Sequence, residues 1–239
     1  GGPGTGSISG AQMDYLQATR GGGHGGIRLL IFAPSTVQEA VDLVYEAFDK
    51  SWEYMNPCLV LADGFIGSIM EPVQLPPMKE WERKEFPIYT TRFFTNNPSR
   101  RMCATMIVNE SEQEKWNIVQ AARYKKIADN EVRVEEYMTD DAEYLITAYG
   151  TSARVAKSAI RILREKGIKA GLIRPITLWP FPYETLRKLD PKQVKKILCL
   201  ELSIPAQLVE DIRMGVEGRI PVYTYGRSAG NIFTAGEVA

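Results

Sequence analysis

The sequence predicts an α/β fold built on parallel sheet, and three observations predict it. Residues 27–33 form a short apolar run ended by Pro34, as expected of a strand buried on both faces. Val37, Val41, Val44 and Phe48 then recur at helical spacing, so an amphipathic helix follows the strand. Beyond Ala142 the same alternation repeats to the end of the chain, the pattern of a doubly wound domain with right-handed crossovers. At 239 residues the chain is long enough for one large core or two modest ones.

Each element follows from local chemistry. Ser35 and Thr36 offer caps to the first helix, with Glu39 three residues after Thr36. Pro57 opens a second apolar run, 58–62, which ends at Asp63-Gly64, and the pattern then dissolves into a proline-containing stretch over 72–98. That stretch reads as an arm lying across a partner, with Trp81, Phe86, Phe93 and Phe94 in a large apolar interface. Residues 111–128, with a capping box at Ser111 and Glu114 and a thin stripe of Trp116, Val119 and Ile127, read as a connecting helix. The second half predicts strands at 144–149, 168–173, 197–202 and 221–225. Between them lie helices beginning at Gly150-Thr151-Ser152, Tyr183 and Ala206, the first with Val155, Ala159, Ile162 and Leu163 on one face and Gly167 as its stop. Leu145 and Ile173 are expected in central, buried strands.

Composition narrows the function classes. Twenty-nine basic residues balance 29 acidic ones, so no bulk charge draws the chain to nucleic acid or to an anionic membrane. The three cysteines, Cys58, Cys103 and Cys199, lack the paired spacing of a zinc or iron-sulfur site, and an odd count suits a reducing cytoplasm. No apolar run reaches the roughly 18 to 20 residues of a spanning helix, and no export signal opens the chain. Gly1 begins a glycine loop of a kind that normally follows a strand, so a segment before it is expected to be missing.

The loop Gly1, Gly2, Pro3, Gly4, Thr5, Gly6 is not a P-loop, because Ser7 and Ile8 stand where Lys and a hydroxyl residue would hold phosphate and magnesium. Nor does a third glycine follow at dinucleotide-loop spacing. A turn open enough for a ligand to approach the backbone remains, beside an ordinary turn. His24, the only histidine, sits among five glycines and is either a proton shuttle or an exposed loop residue. Asp63 ends a strand where open α/β sheets place ligands, though Asp-Gly is also a common turn. Thr151 and Ser152 at a helix N-terminus, with Arg174 on the same rim, form a possible anion site; capping and interdomain packing explain them equally well. No metal site is expected.

Several motifs occur in one order: Gly-Gly-Pro-Gly-Thr-Gly over 1–6 and Gly-Gly-Gly-His-Gly over 21–25, then Ala33-Pro34-Ser35-Thr36-Val37-Gln38-Glu39 and Leu61-Ala62-Asp63-Gly64 with Met70-Glu71-Pro72-Val73. Ala148-Tyr149-Gly150-Thr151-Ser152-Ala153-Arg154, the stretch from Leu172 through Arg174-Pro175 to Pro182, Gln207-Leu208-Val209-Glu210-Asp211 and Tyr225-Gly226-Arg227 follow. Together they resemble the alpha-type subunits of thiamine-diphosphate-dependent 2-oxoacid:ferredoxin oxidoreductases over nearly the whole chain. The stretches from Gly150 and from Arg174 look most like the branched-chain (2-oxoisovalerate) enzymes, with the 2-oxoglutarate enzymes next.

That resemblance implies a partial pyrimidine-binding thiamine diphosphate domain over 1–108, a connecting helix and linker over 109–140, and a transketolase-C-terminal-like domain over 141–239. It implies oxidative decarboxylation of a branched-chain 2-oxoacid to an acyl group on coenzyme A and carbon dioxide, with ferredoxin reduced. Thiamine diphosphate and magnesium would be shared with a beta subunit, iron-sulfur clusters would lie in beta and delta-type chains, and ferredoxin-like or gamma subunits and ferredoxin would be further partners. The family's activating glutamate and a substrate-binding threonine belong to the segment before Gly1. No catalytic residue is therefore assignable in this chain, and the isolated chain is expected to be inactive, with the loop of residues 1–6, His24 and Asp63 near the substrate. A free-standing anion or coenzyme A binding module, and a purely structural interaction domain, are the competing readings.

Overall fold

The computed structural model describes residues 1–80 and 106–239, so Cys103 and the expected interface aromatics Trp81, Phe86, Phe93 and Phe94 lie outside the described residues. Two compact units emerge, one of residues 1–74 with 126–239 and the other of residues 75–125.

In the larger unit a short helix α1 (Tyr15–Thr19) precedes β1 (Leu30–Phe32), α2 (Val37–Tyr54) and β2 (Cys58–Val60). Thr36 caps α2, its hydroxyl accepting from the Glu39 amide. The Glu39 carboxylate reaches back one residue further than expected, to the Ser35 amide at 2.7 Å. Helix α2 forms as predicted but presents a different face. Leu43 and Tyr54 are buried, whereas Val44 and Phe48 from the expected stripe are 46% and 70% exposed. The helix carries apolar residues on two sides, and spacing alone does not say which side meets the sheet.

Helix α3 (Glu110–Asn130) starts one residue before the expected position, because the Asn109 side chain rather than Ser111 accepts from the first turn, at the Glu112 amide. Of its predicted stripe, Ile127 is fully buried while Trp116 and Val119 are exposed. Then come β3 (Val134–Tyr137), β4 (Tyr144–Thr147), α4 (Gly150–Glu165), β5 (Ala170–Pro175), β6 (Thr177–Trp179) and α5 (Tyr183–Arg187). The chain continues through β7 (Lys196–Glu201), α6 (Val209–Val216), β8 (Val222–Gly226) and α7 (Ala235–Val238).

Strands β5, β4, β7 and β8 are mutually parallel, in that order, and β3 adds an antiparallel edge beside β5. The sheet is therefore mixed rather than wholly parallel, and residues 134–137, expected as linker, belong to it. A second sheet has the order β2-β1-β6; β6 comes from the C-terminal half and pairs antiparallel with β1. The two halves of the sequence thus share a sheet.

Side chains alternate across the five-stranded sheet as the pleat requires. Leu145, Ile173, Ile197 and Cys199 enter one core, which extends to Tyr15, Ile31 and Ala33. Ile146, Leu172, Leu200 and Phe233 enter the other, under α4. The buried face of α4 is Ser152, Ala153, Ala156, Ala159 and Ile160. Alanines there let the helix lie close on the strands, so the larger Val155, Ile162 and Leu163 sit at its flanks.

Candidate functional site

The opening loop folds back on itself, with the Ser7 amide bonded to the Gly1 carbonyl at 3.2 Å. Gly6 adopts φ +53°, and a Cβ there would sit 1.7 Å from the Gly1 oxygen, so no side chain is tolerated. Behind the loop, Gly64 lies against Gly10, whose backbone a Gly64 Cβ would meet at 3.1 Å. These backbones border an open cavity of about 490 Å³ lined by Gly1, Gly2, Ser7, Ala11, Met13 and Ala62 among others. Asp14 is the only ionisable side chain in its lining. The arrangement offers backbone groups and close approach to a ligand, not acid–base chemistry.

Asp63 is 6% exposed and is absent from the lining of that cavity. Its carboxylate accepts from the Thr151 amide at 2.8 Å, the Thr151 hydroxyl at 2.7 Å and the Ile66 amide at 3.1 Å. The anion held at the N-terminus of α4 is the chain's own Asp63, an arrangement the helix dipole favours. Ser152 is fully buried and donates to Gln12 Oε1 at 2.6 Å. Gly150 makes this possible: at φ +55°, a Cβ would stand 2.5 Å from Asp63 Oδ2 and 2.8 Å from Gln12 Nε2.

Arg174 is 2% exposed and lies in β5, donating twice to Glu39 at 2.9 and 2.6 Å and once to Glu135 at 2.6 Å. Burial alone would raise the Glu39 carboxyl, but its bonds to Arg174 and Ser35 hold it below the usual range. Strand β4 lies between Arg174 in β5 and the buried Glu201 at the end of β7. Glu201 is fully buried; burial pushes its carboxyl up to about 7, against the opposing bonds from the Gln207 and Leu208 amides. His24 is exposed and does not line the glycine-loop cavity, and Thr5 is likewise exposed. The structure therefore brings Asp63, Thr151 and Ser152 together and leaves His24 and Arg174 apart from them.

Gln12, which carries no local signal in the sequence, joins the group. It is 4% exposed, donates to Asp63 at 3.2 Å and to the Tyr149 carbonyl at 2.8 Å, and accepts from Ser152 and from the Leu202 amide at 2.9 Å. Two motif residues in and beside α6 tie down the segment that follows. Gln207 bonds the Met13 carbonyl and the Leu16 amide. Asp211 is 3% exposed and accepts from Tyr15 at 2.6 Å, bidentately from Arg20, and from Tyr183.

Among the described residues no group of three or more His, Cys, Asp or Glu comes together as a metal site, and no helix is long and apolar enough to cross a membrane. Cys58 and Cys199 are free thiols, both pushed up by burial.

Comparison with known proteins adds the following. The family described as "pyruvate flavodoxin/ferredoxin oxidoreductase, thiamine diP-bdg" matches residues 1–139, and "pyruvate:ferredoxin oxidoreductase core domain II" matches residues 142–238. The chain is 40% identical to ketoisovalerate oxidoreductase subunit VorB of Methanothermobacter thermautotrophicus, over 99% of this chain and 66% of that protein. It is 31% identical to 2-oxoglutarate synthase subunit KorA of Archaeoglobus fulgidus, over 80% of this chain and 55% of that one. Among solved structures, 2-oxoglutarate:ferredoxin oxidoreductase from Magnetococcus marinus, with 2-oxoglutarate, coenzyme A and succinyl-CoA bound, superposes with a TM-score of 0.79 at 21% identity, covering 100% of this chain and 46% of that one. That similarity is one of fold.

Proposed function

The chain belongs to the 2-oxoacid:ferredoxin oxidoreductase family, and from that premise we propose that it is part of the alpha-type subunit of an enzyme that oxidatively decarboxylates a branched-chain 2-oxoacid. The observation that carries the reading is the glycine-walled cavity, in a chain that spans 66% of a 40%-identical ketoisovalerate oxidoreductase subunit. The substrate is then a 2-oxoisovalerate-like acid, with coenzyme A as acyl acceptor and ferredoxin as electron acceptor.

The cavity would border one side of a thiamine diphosphate ring system. Its wall is bare backbone at Gly1, Gly2, Gly10 and Gly64, where a Cβ at Gly10 would strike the Phe65 ring at 2.6 Å and one at Gly64 would press on Gly10. The cofactor, when bound, supplies carbanion chemistry that no side chain of this chain offers. This chain's residues would border the reacting centre, exclude water and orient the substrate. The diphosphate, magnesium and iron-sulfur clusters would be held by beta and delta-type chains, and the residues of 1–6 with Asp63 behind them would form the substrate-side wall. His24 has no part in that wall.

In the assembled enzyme, 2-oxoisovalerate with coenzyme A and thiamine diphosphate should drive viologen reduction, with 2-oxoglutarate turning over at lower kcat/KM. The isolated chain should show neither thiamine diphosphate binding by calorimetry nor turnover, since the diphosphate, magnesium and clusters would be held by other subunits. A preference of the assembled enzyme for 2-oxoglutarate, or turnover by the isolated chain, would overturn the reading.

A further inference from the structure

Ala11 and Met13 line the glycine-loop cavity, and so do Ala62 and Gly64. The residue between each pair, Gln12 and Asp63, is absent from that lining; the two border a small neighbouring pocket of about 30 Å³ beside Tyr149, where their side chains bond each other at 3.2 Å. Two chain segments 51 positions apart in sequence thus form adjacent panels of one wall, fastened at their midpoints. The fastening is itself anchored. Both amide donors of Gln12 are used, on Asp63 and the Tyr149 carbonyl, and its oxygen accepts two bonds, from Ser152 and the Leu202 amide. Its backbone amide donates to the Leu202 carbonyl at 2.8 Å, and its own carbonyl accepts from the Tyr149 hydroxyl at 3.2 Å. Asp63 in turn is locked to the first turn of α4. The wall of the cavity is therefore referenced to the segments that follow β4 and β7, neighbouring parallel strands of the five-stranded sheet.

We propose that Gln12 is a positioning residue of this site: through Asp63 and the Tyr149–Ser152 turn it sets where the residue 10–14 segment, and with it the substrate-side wall, stands. The inference rests on the functional reading above and goes beyond it by assigning to an inward-facing amide the registration of the two wall segments. Gln12 is absent from the cavity lining, so its effect reaches substrate through Ala11 and Met13 on its own segment and, by way of Asp63, through Ala62 and Gly64. A loosened wall weakens substrate binding without removing a reacting group.

The test uses the assembled enzyme with Gln12→Met, which keeps the length and volume of the side chain without its bonds, and Gln12→Glu, which keeps the two acceptor bonds but faces Asp63 with a second carboxylate. Both should raise KM for 2-oxoisovalerate by roughly tenfold while kcat falls by less than about threefold, since a misplacement of about 1 Å costs up to about a hundredfold. A purely architectural role would lower kcat in proportion to the folded fraction and leave KM where it was; that result overturns the proposal. Hydrogen exchange of the same proteins gives a readout independent of turnover. Peptides covering residues 9–14 and 200–203 should exchange at least about tenfold faster in both variants, with β4 and β5 unchanged. Unaltered exchange at residues 9–14 overturns the proposal even if activity changes. An inactive wild-type enzyme with faster exchange in the variants instead sinks the functional reading and leaves the fastening standing.

Discussion

Gly150 shows how one residue's conformation governs the site. Its φ of +55° belongs to the left-handed region, and the space a Cβ would take is occupied by Asp63 and Gln12. Gly167 has φ +78° but nothing within 4 Å of its Cβ position. Gly167→Ala should therefore cost only the backbone penalty of about 1–2 kcal/mol. Gly150→Ala carries the same penalty and also displaces the Asp63 carboxylate, for a total of about 2–5 kcal/mol. Chemical denaturation of the two variants checks the difference, and equal losses would show that the Asp63 contact is worth nothing. Glu201 gives a second expectation. Its folded-state carboxyl titrates near 7 against an ordinary 4.5, so the folded state holds a proton that the unfolded chain has lost over that window. Stability contributed by the protonated form is present below pH 4.5 and is lost as pH rises to about 7, by an amount on the order of 3 kcal/mol. Glu201→Gln keeps an acceptor for the Gln207 and Leu208 amides and removes the titration. Thermal melts from pH 5 to 8 should show the wild type losing ground to the variant as pH rises; parallel curves would mean that Glu201 titrates normally.

At the scale of elements, the apolar runs that read as strands became β1, β2, β4, β5, β7 and β8, each within a few residues of its expected bounds. Leu145 and Ile173 are each 1% exposed, in β4 and β5. Replacing either with Ala should cost about 2–5 kcal/mol through lost burial and the cavity left behind; unchanged melting temperatures for both variants would contradict the packing. Two strands escaped. β3 is Val-Glu-Glu-Tyr, whose central carboxylates read as linker, yet Glu135 is drawn into the sheet edge by Arg174 and by Lys157. β6 is three residues between prolines, too short for any periodicity, and forms because β1 offers an open edge. Helix faces were less legible than helices, since small residues in α4 and two-sided apolarity in α2 leave orientation to the packing partner.

Across the larger unit, two ion-pair groups join elements of the two sequence halves. Arg154 reaches Glu71 and the Ser35 carbonyl, Glu71 accepts from the Val37 amide, Glu39 takes Arg174, and Arg174 takes Glu135. Arg154, Glu71, Glu39 and Arg174 are residues of the family motifs, and here they join the N-terminal and C-terminal halves. Arg174→Met should destabilise the fold by about 3 kcal/mol, discounted from the buried-pair maximum because both carboxylates are partly solvated. Adding Glu39→Gln should recover part of that loss, and a double mutant no better than the sum of its parts would refute the coupling.

From sequence alone came the α/β class and the order of most elements, because apolar periodicity and the glycine, proline and Asp-Gly punctuation are local properties of a chain; the family came from the resemblance of several motifs in one order. The open glycine loop and the Asp63 turn were legible for the same reason. What Asp63 does was decided only in three dimensions, where α4 brings Thr151 and Ser152 to it, as was the antiparallel edge that makes the sheet mixed. Gln12 marks the limit most clearly. Its partners lie 51, 137, 140 and 190 positions away, so no window of sequence contains the network, and only the folded chain, by excluding water from all of them at once, makes one amide the fastening of the wall.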